Sequence, residues 1–132
     1  MDQKVIDIVF KGNVKINAEI DGLSIATDQP TDKGGEGTAP NPFQLFLASL
    51  STCAGFYAIK FCQTRELNHE GLGIRVLCDF ADKGFKVEKM TYEITLPEGF
   101  PEKYRPALIR AVDQCTVKKH VCDCLDFEII AN

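Results

Sequence analysis

Apolar and polar positions alternate near the start of the chain. Val14, Ile16, Ala18 and Ile20 interleave with Lys15, Asn17 and Glu19, the two-residue period of a strand with one covered face. Asp21-Gly22 follows, a pair that tolerates the positive φ angles of a tight turn, and Leu23 and Ile25 resume the alternation. Val5 to Phe10 makes an earlier strand, set off by Lys11-Gly12-Asn13, so the chain opens as a predicted three-stranded meander. Residues 28–40, DQPTDKGGEGTAP, have no apolar period and form a loop long enough to suspect function. Asn41 is placed to cap a helix and Pro42 to open it, since proline's missing N–H costs nothing in the first turn. Phe43 to Cys62 is then apolar on nearly every side. Ile74, Val76, Cys78 and Phe80, then Met90, Tyr92, Ile94 and Leu96, predict two antiparallel strands joined through Asp82-Lys83-Gly84. A second helix is expected from near Pro101, with Tyr104, Leu108, Ala111, Val112 and Cys115 on one face, and Phe127 to Ile130 closes as a short strand. Three strands, helix, two strands, helix, strand is an α+β order, not an alternating βαβ one.

The central helix changes the picture most. A helix apolar all round must be buried all round or lie in lipid. Ser49, Ser51 and Thr52 cluster in its middle, and Gly55 and Lys60 interrupt the run, which favours protein over lipid. A sheet can cover one side, but one small chain has little left to cover the other. An intimate homodimer follows, with no membrane as partner.

Composition narrows the rest. At 132 residues, 45% hydrophobic and 26% charged, the sequence is that of a soluble globular protein, expected as a single domain over 1–132; only 27 residues precede the loop, too few for a domain of their own. The formal net charge of −4 argues against a nucleic-acid partner. MDQKVIDIVF lacks a basic stretch followed by an apolar run, so a cytoplasmic location is expected. Six cysteines in 132 residues fall below the roughly 8–10% of disulfide scaffolds, and reduced thiols are expected in that compartment.

Those thiols are the candidate chemistry. Cys53 in the central helix and Cys115 on the second can be small buried hydrophobes, or a redox pair in which one thiolate becomes a sulfenic acid and condenses with the other thiol. A thiol with an ordinary pKa of about 8.5 is scarcely ionised at pH 7, and burial makes it worse. Cys53 lies past the first turn of its own helix, so a cation from another strand or a partner subunit is expected beside it. Cys122 and Cys124, with Cys115 and His120 near, could bind zinc, but structural zinc uses Cys pairs of wider spacing and a second pair is absent; no metal is expected. Cys62 and Cys78 read as packing residues, His69 and His120 as surface residues, Lys103, Arg105, Arg110, Lys118 and Lys119 as a solvated face, and Phe43, Phe46, Phe56 and Phe61 as core.

The segment APNPFQLFLASLSTCAGFY, residues 39–57, resembles the central-helix motif of the OsmC/Ohr family of thiol-dependent hydroperoxide reductases. That family's register places its peroxidatic cysteine at Cys53, and Gln114-Cys115-Thr116-Val117 is similar to the turn carrying its second, resolving cysteine. The resemblance implies an OsmC-like α+β fold with an antiparallel sheet packed on a long buried central helix and a second helix, as an intertwined homodimer with sites at the subunit interface. It also implies reduction of small apolar organic hydroperoxides in the oxidative stress response, with a cellular dithiol as reductant and no cofactor. The family's Glu ten residues before the reactive cysteine is here Phe43, and its Arg near the first hairpin is missing around Gly12. Losing both together is coherent, since losing one would leave a buried charge unpaired. Lys11 or Lys15 could supply a charge there but not a bidentate fork. Phe43 also leaves open a non-catalytic binding protein on the same fold, holding an apolar small molecule in a pocket at the dimer interface.

Overall fold

A computed structural model describes residues 2–84 and 86–122, and of Asp82 and Cys122 the backbone alone. The chain forms two compact units divided between Ala48 and Ser49.

In the first unit, β1 (Asp7–Phe10), β2 (Ile16–Ile20) and β3 (Leu23–Thr27) form an antiparallel sheet in that order, the predicted meander. Asp21 and Gly22 turn the β2–β3 hairpin with φ of 51° and 75°, the conformation an Asp-Gly pair supplies most readily. Among the described residues of this unit the alternation does not produce a buried face: Phe10 is 78% exposed and Leu23 66%. Among the described residues of this unit, Asp28 alone is buried. Its carboxylate accepts the Thr38 hydroxyl at 2.6 Å and the N–H groups of Gln29, Thr38 and Glu36 at 2.8, 3.1 and 3.3 Å. The Thr38 hydroxyl and these N–H groups hold its pKa down at about 2, against the opposing effect of burial. Its own N–H reaches Pro40 O at 3.2 Å and closes loop 28–40 into an ordered turn. Gly35 passes so near the chain that a Cβ there would lie 1.9 Å from Gln29 O.

Helix α1 (Pro42–Thr64) begins as predicted. Asn41 Oδ1 accepts the Gln44 N–H at 2.8 Å, and Gln44 Oε1 accepts the Asn41 N–H at 2.9 Å, a reciprocal capping box ahead of Pro42. By length and composition α1 could also cross a bilayer, a test that core helices pass too.

In the second unit, α1 presents a stripe of Leu50, Ala54, Ala58, Phe61 and Cys62, the buried residues of the helix. The recurrence every three to four residues is that of one helix face. Of the four phenylalanines read as core, only Phe61 is buried; Phe43, Phe46 and Phe56 are exposed at 47%, 40% and 57%. The two strands of the second sheet, β4 (Gly73–Ala81) and β5 (Lys86–Thr95), pair antiparallel as predicted, with an irregularity between Asp79 and Phe80. Ile74, Tyr92 and Ile94 from this pair pack on Ala54, Ala58, Phe61, Leu108 and Val112, the core of the unit.

The second helix departs from the pattern. A short 3-10 turn, Glu102–Tyr104, leads into α2 (Arg105–Val112), which ends at Asp113, and α3 (Thr116–Cys122) starts afresh. Gln114 N–H reaches back only to Ala111 O at 3.1 Å, tightening the last turn, while Lys119 N–H reaches Cys115 O at 3.1 Å to open α3. Cys115 thus stands at the cap of a new helix instead of on the face of one continuous helix, and its Sγ accepts the Lys118 N–H at 3.3 Å. The expected strand Phe127–Ile130, Cys124 and the side chain of Cys122 lie outside the described residues.

Candidate functional site

Two cysteines 62 positions apart are brought together in the second unit. Cys53, half-buried on α1, and Cys115, buried at the start of α3, share a hydrogen bond between their sulfurs. The pair is asymmetric. Burial pushes the Cys53 thiol up, but the Cys115 hydrogen bond and the backbone N–H groups of Val117 and Thr116 outweigh it, so its pKa falls below that of an ordinary cysteine. Burial raises Cys115, and its hydrogen bond to Cys53 raises it further, against the Lys118 N–H. Cys53 therefore ionises first, with Cys115 as the donor to its thiolate.

A cation beside Cys53 is the expected activator, and among the described residues the groups that lower its pKa include none. The backbone donors that do lower it are supplied by the break between α2 and α3, which frees N–H groups that a continuous helix would have consumed. Lys15 is held in the first unit by Glu36 at 2.9 Å. Lys118 pairs with Asp113.

Tyr92 on β5 stands near the pair; burial raises its phenol, and Cys115, Cys78 and Cys53 add to that while Lys118 opposes it. Tyr57, on α1, places its hydroxyl 3.0 Å from Thr116 Oγ1. Neither tyrosine is singled out by the sequence pattern, although Tyr57 shares a helix face with Cys53 four residues before it. No sequence signal marks the N–H groups of Thr116 and Val117, which every residue but proline carries.

A cavity of about 740 Å³ opens beside the pair, walled by Leu50, Met90, Tyr92, Ile94, Leu108 and Val112 among others, with Arg110 and Lys118 also lining it. Cys115 is part of its wall; Cys53 is not. Cys62 is fully buried, with its thiol raised by burial, and Cys78 is half-buried on β4. His69 and His120 are exposed, His120 Nδ1 lying 2.8 Å from Thr116 O. Among the described residues no three His, Cys, Asp or Glu side chains are grouped to hold a metal ion.

The model of a family described as OsmC-like protein matches residues 35–129. A solved structure from Psychrobacter arcticus 273-4, described as an osmotic stress induced and detoxification response protein, is 21% identical with a TM-score of 0.73, covering 90% of this chain and 88% of that one. A second, from Legionella pneumophila, is described as an organic hydroperoxide resistance protein OsmC, predicted redox protein and regulator of sulfide bond formation. It is 20% identical with a TM-score of 0.56, covering 92% of this chain and 90% of that one. At these identities the likeness establishes the mixed α/β fold of antiparallel sheets and helices. A search of curated proteins found no match.

Proposed function

The chain belongs to the OsmC-like protein family, and on that premise we propose that it is a thiol peroxidase that reduces organic hydroperoxides through Cys53 and Cys115. The Cys53 thiolate attacks the distal oxygen of ROOH and the O–O bond breaks. The alkoxide takes up a proton and leaves as ROH, while Cys53 is oxidised to the sulfenic acid. Cys115 sulfur then attacks Cys53 Sγ; the S–S bond forms, and hydroxide departs with the Cys115 proton as water. A cellular dithiol reduces the disulfide by exchange and leaves oxidised, restoring both thiols.

The observation that carries this reading is the hydrogen bond between the two sulfurs, with Cys53 as the lower-pKa partner. A nucleophile needs its thiolate, and a resolving thiol is best kept protonated until the sulfenic acid forms. Titration with stoichiometric cumene hydroperoxide, followed by mass mapping of the folded protein, should yield a Cys53–Cys115 disulfide. An unmodified Cys53 ends the proposal.

The exposed apolar residues of α1 and of the first sheet support a homodimer in which a second copy covers them. Sedimentation should return twice the 14.6 kDa chain mass in the soluble fraction; a soluble monomer, or partition into vesicles, refutes it. A second reading, a binding protein without turnover, is favoured by the apolar cavity that reaches Cys115 and not Cys53. The pH dependence of alkylation separates the two, because a binder has no need of a Cys53 midpoint below about 8.5.

A further inference from the structure

The hydroxyls of Tyr57 and Thr116 are 3.0 Å apart. Tyr57 follows Cys53 by four residues, one turn along the same face of α1, and Thr116 follows Cys115 directly. One hydrogen bond thus ties together the two segments that carry the sulfurs, each at a point next to its cysteine. Thr116 is also one of the two residues whose N–H groups face Cys53 Sγ.

We propose that Tyr57 is a positioning residue: through Thr116 Oγ1 it holds the start of α3 against Cys53, which keeps two backbone N–H groups on the Cys53 sulfur and the Cys115 sulfur within bonding reach. The tie differs from a structural bond in one respect. Both hydroxyls sit in an exposed hydrogen bond, and such a bond adds little to stability, so its loss should loosen the site without unfolding the unit.

Two consequences follow, and only the second rests on the peroxidase reading. First, the ionisation of Cys53 depends on Tyr57. Among the described residues, the other titratable and charged groups acting on the pair are Cys115 and Lys118 at the α2–α3 break, Tyr92 on β5 and Cys78 on β4, and the substitution of Tyr57 removes none of them. Second, the fate of the sulfenic acid depends on it. Cys53–SOH either meets Cys115–SH, giving the disulfide and water, or meets a second ROOH, giving Cys53–SO₂H and ROH. A looser α3 start favours the second route.

The test uses the full chain with Tyr57→Phe, Thr116→Val and Thr116→Ser. Alkylation of Cys53 by iodoacetamide, followed across pH and located by mass mapping, should show the midpoint rising by about one pH unit in Tyr57→Phe and Thr116→Val, the scale of one weakened hydrogen bond to a charged sulfur. Thr116→Ser, which keeps the hydroxyl, should retain the wild-type midpoint. With excess cumene hydroperoxide the sulfinic fraction of Cys53 should grow several-fold in the first two variants. An unchanged midpoint in folded Tyr57→Phe overturns the proposal. A shifted midpoint in a protein whose wild type ignores peroxide leaves the positioning role standing and removes the peroxidase.

Discussion

Replacing Cys115 by alanine tests the electrostatics of the pair directly. The thiolate of Cys53 has three groups holding it: the Cys115 thiol and the N–H groups of Val117 and Thr116. Cys115→Ala removes the first and leaves the others. A hydrogen bond to a charged group contributes about 1.5–3 kcal/mol, equivalent to roughly one to two pH units. Cys53 is half-buried and not sealed, so water partly replaces the lost donor and the lower end applies. The Cys53 midpoint should therefore rise by about one unit, near 1.4 kcal/mol. Cys115→Ser keeps an O–H donor and should move it by less. The assay is the iodoacetamide rate against pH with peptide mapping, which separates Cys53 from half-buried Cys78, while fully buried Cys62 stays silent in the folded protein. A midpoint that stays put or falls in Cys115→Ala would mean that the sulfur contact contributes nothing to ionisation, and the assignment of Cys53 as first to ionise would lose its basis.

Asp28 should govern acid stability. Its pKa is lowered from 3.8 to about 2, so the carboxylate stabilises the folded loop fully above about pH 4, and that contribution is lost as pH falls through 2. Unfolding temperatures from pH 5 to 2 should show Asp28→Asn less stable at pH 5, with the gap to wild type narrowing toward pH 2; parallel curves refute this. Gly35→Ala should cost about 2 kcal/mol or more, because the clash at 1.9 Å is with backbone that cannot step aside, and an unaltered urea midpoint would contradict the packing of the loop. Leu108, fully buried among Ala54, Ala58 and Phe61, should cost about 3 kcal/mol when cut to alanine, lowering the melting temperature by about 10 °C. A loss under about 1 kcal/mol would show that the neighbouring cavity already absorbs the change.

Where local periodicity and turn chemistry decide the backbone, they were readable in advance. The meander, the Asp21-Gly22 turn, the Asn41 cap and the β4–β5 pair follow from local patterns and turn residues, while the return bond from Gln44 to Asn41 is seen only in the structure. The second helix is shorter than its pattern predicts because its apolar spacing continues from Tyr104 to Cys115 while the hydrogen bonding does not. Periodicity reports which face is apolar, not where the chain stops donating to the turn before. Three of the four central-helix phenylalanines are exposed, not core, for a related reason: apolarity records that a side chain seeks cover, not what supplies it.

The candidate pair, Cys53 and Cys115, was legible as residues and the family register as a motif. How Cys53 becomes ionisable was not. The sequence contains no Arg or Glu where the motif leads one to look, and the activating groups are peptide N–H donors, identical in every sequence. They become specific only when a helix break points them at one sulfur. Composition and spacing thus determined which atoms could react. The tertiary structure decided that these two thiols meet, because that depends on hydrogen bonds between segments some sixty residues apart.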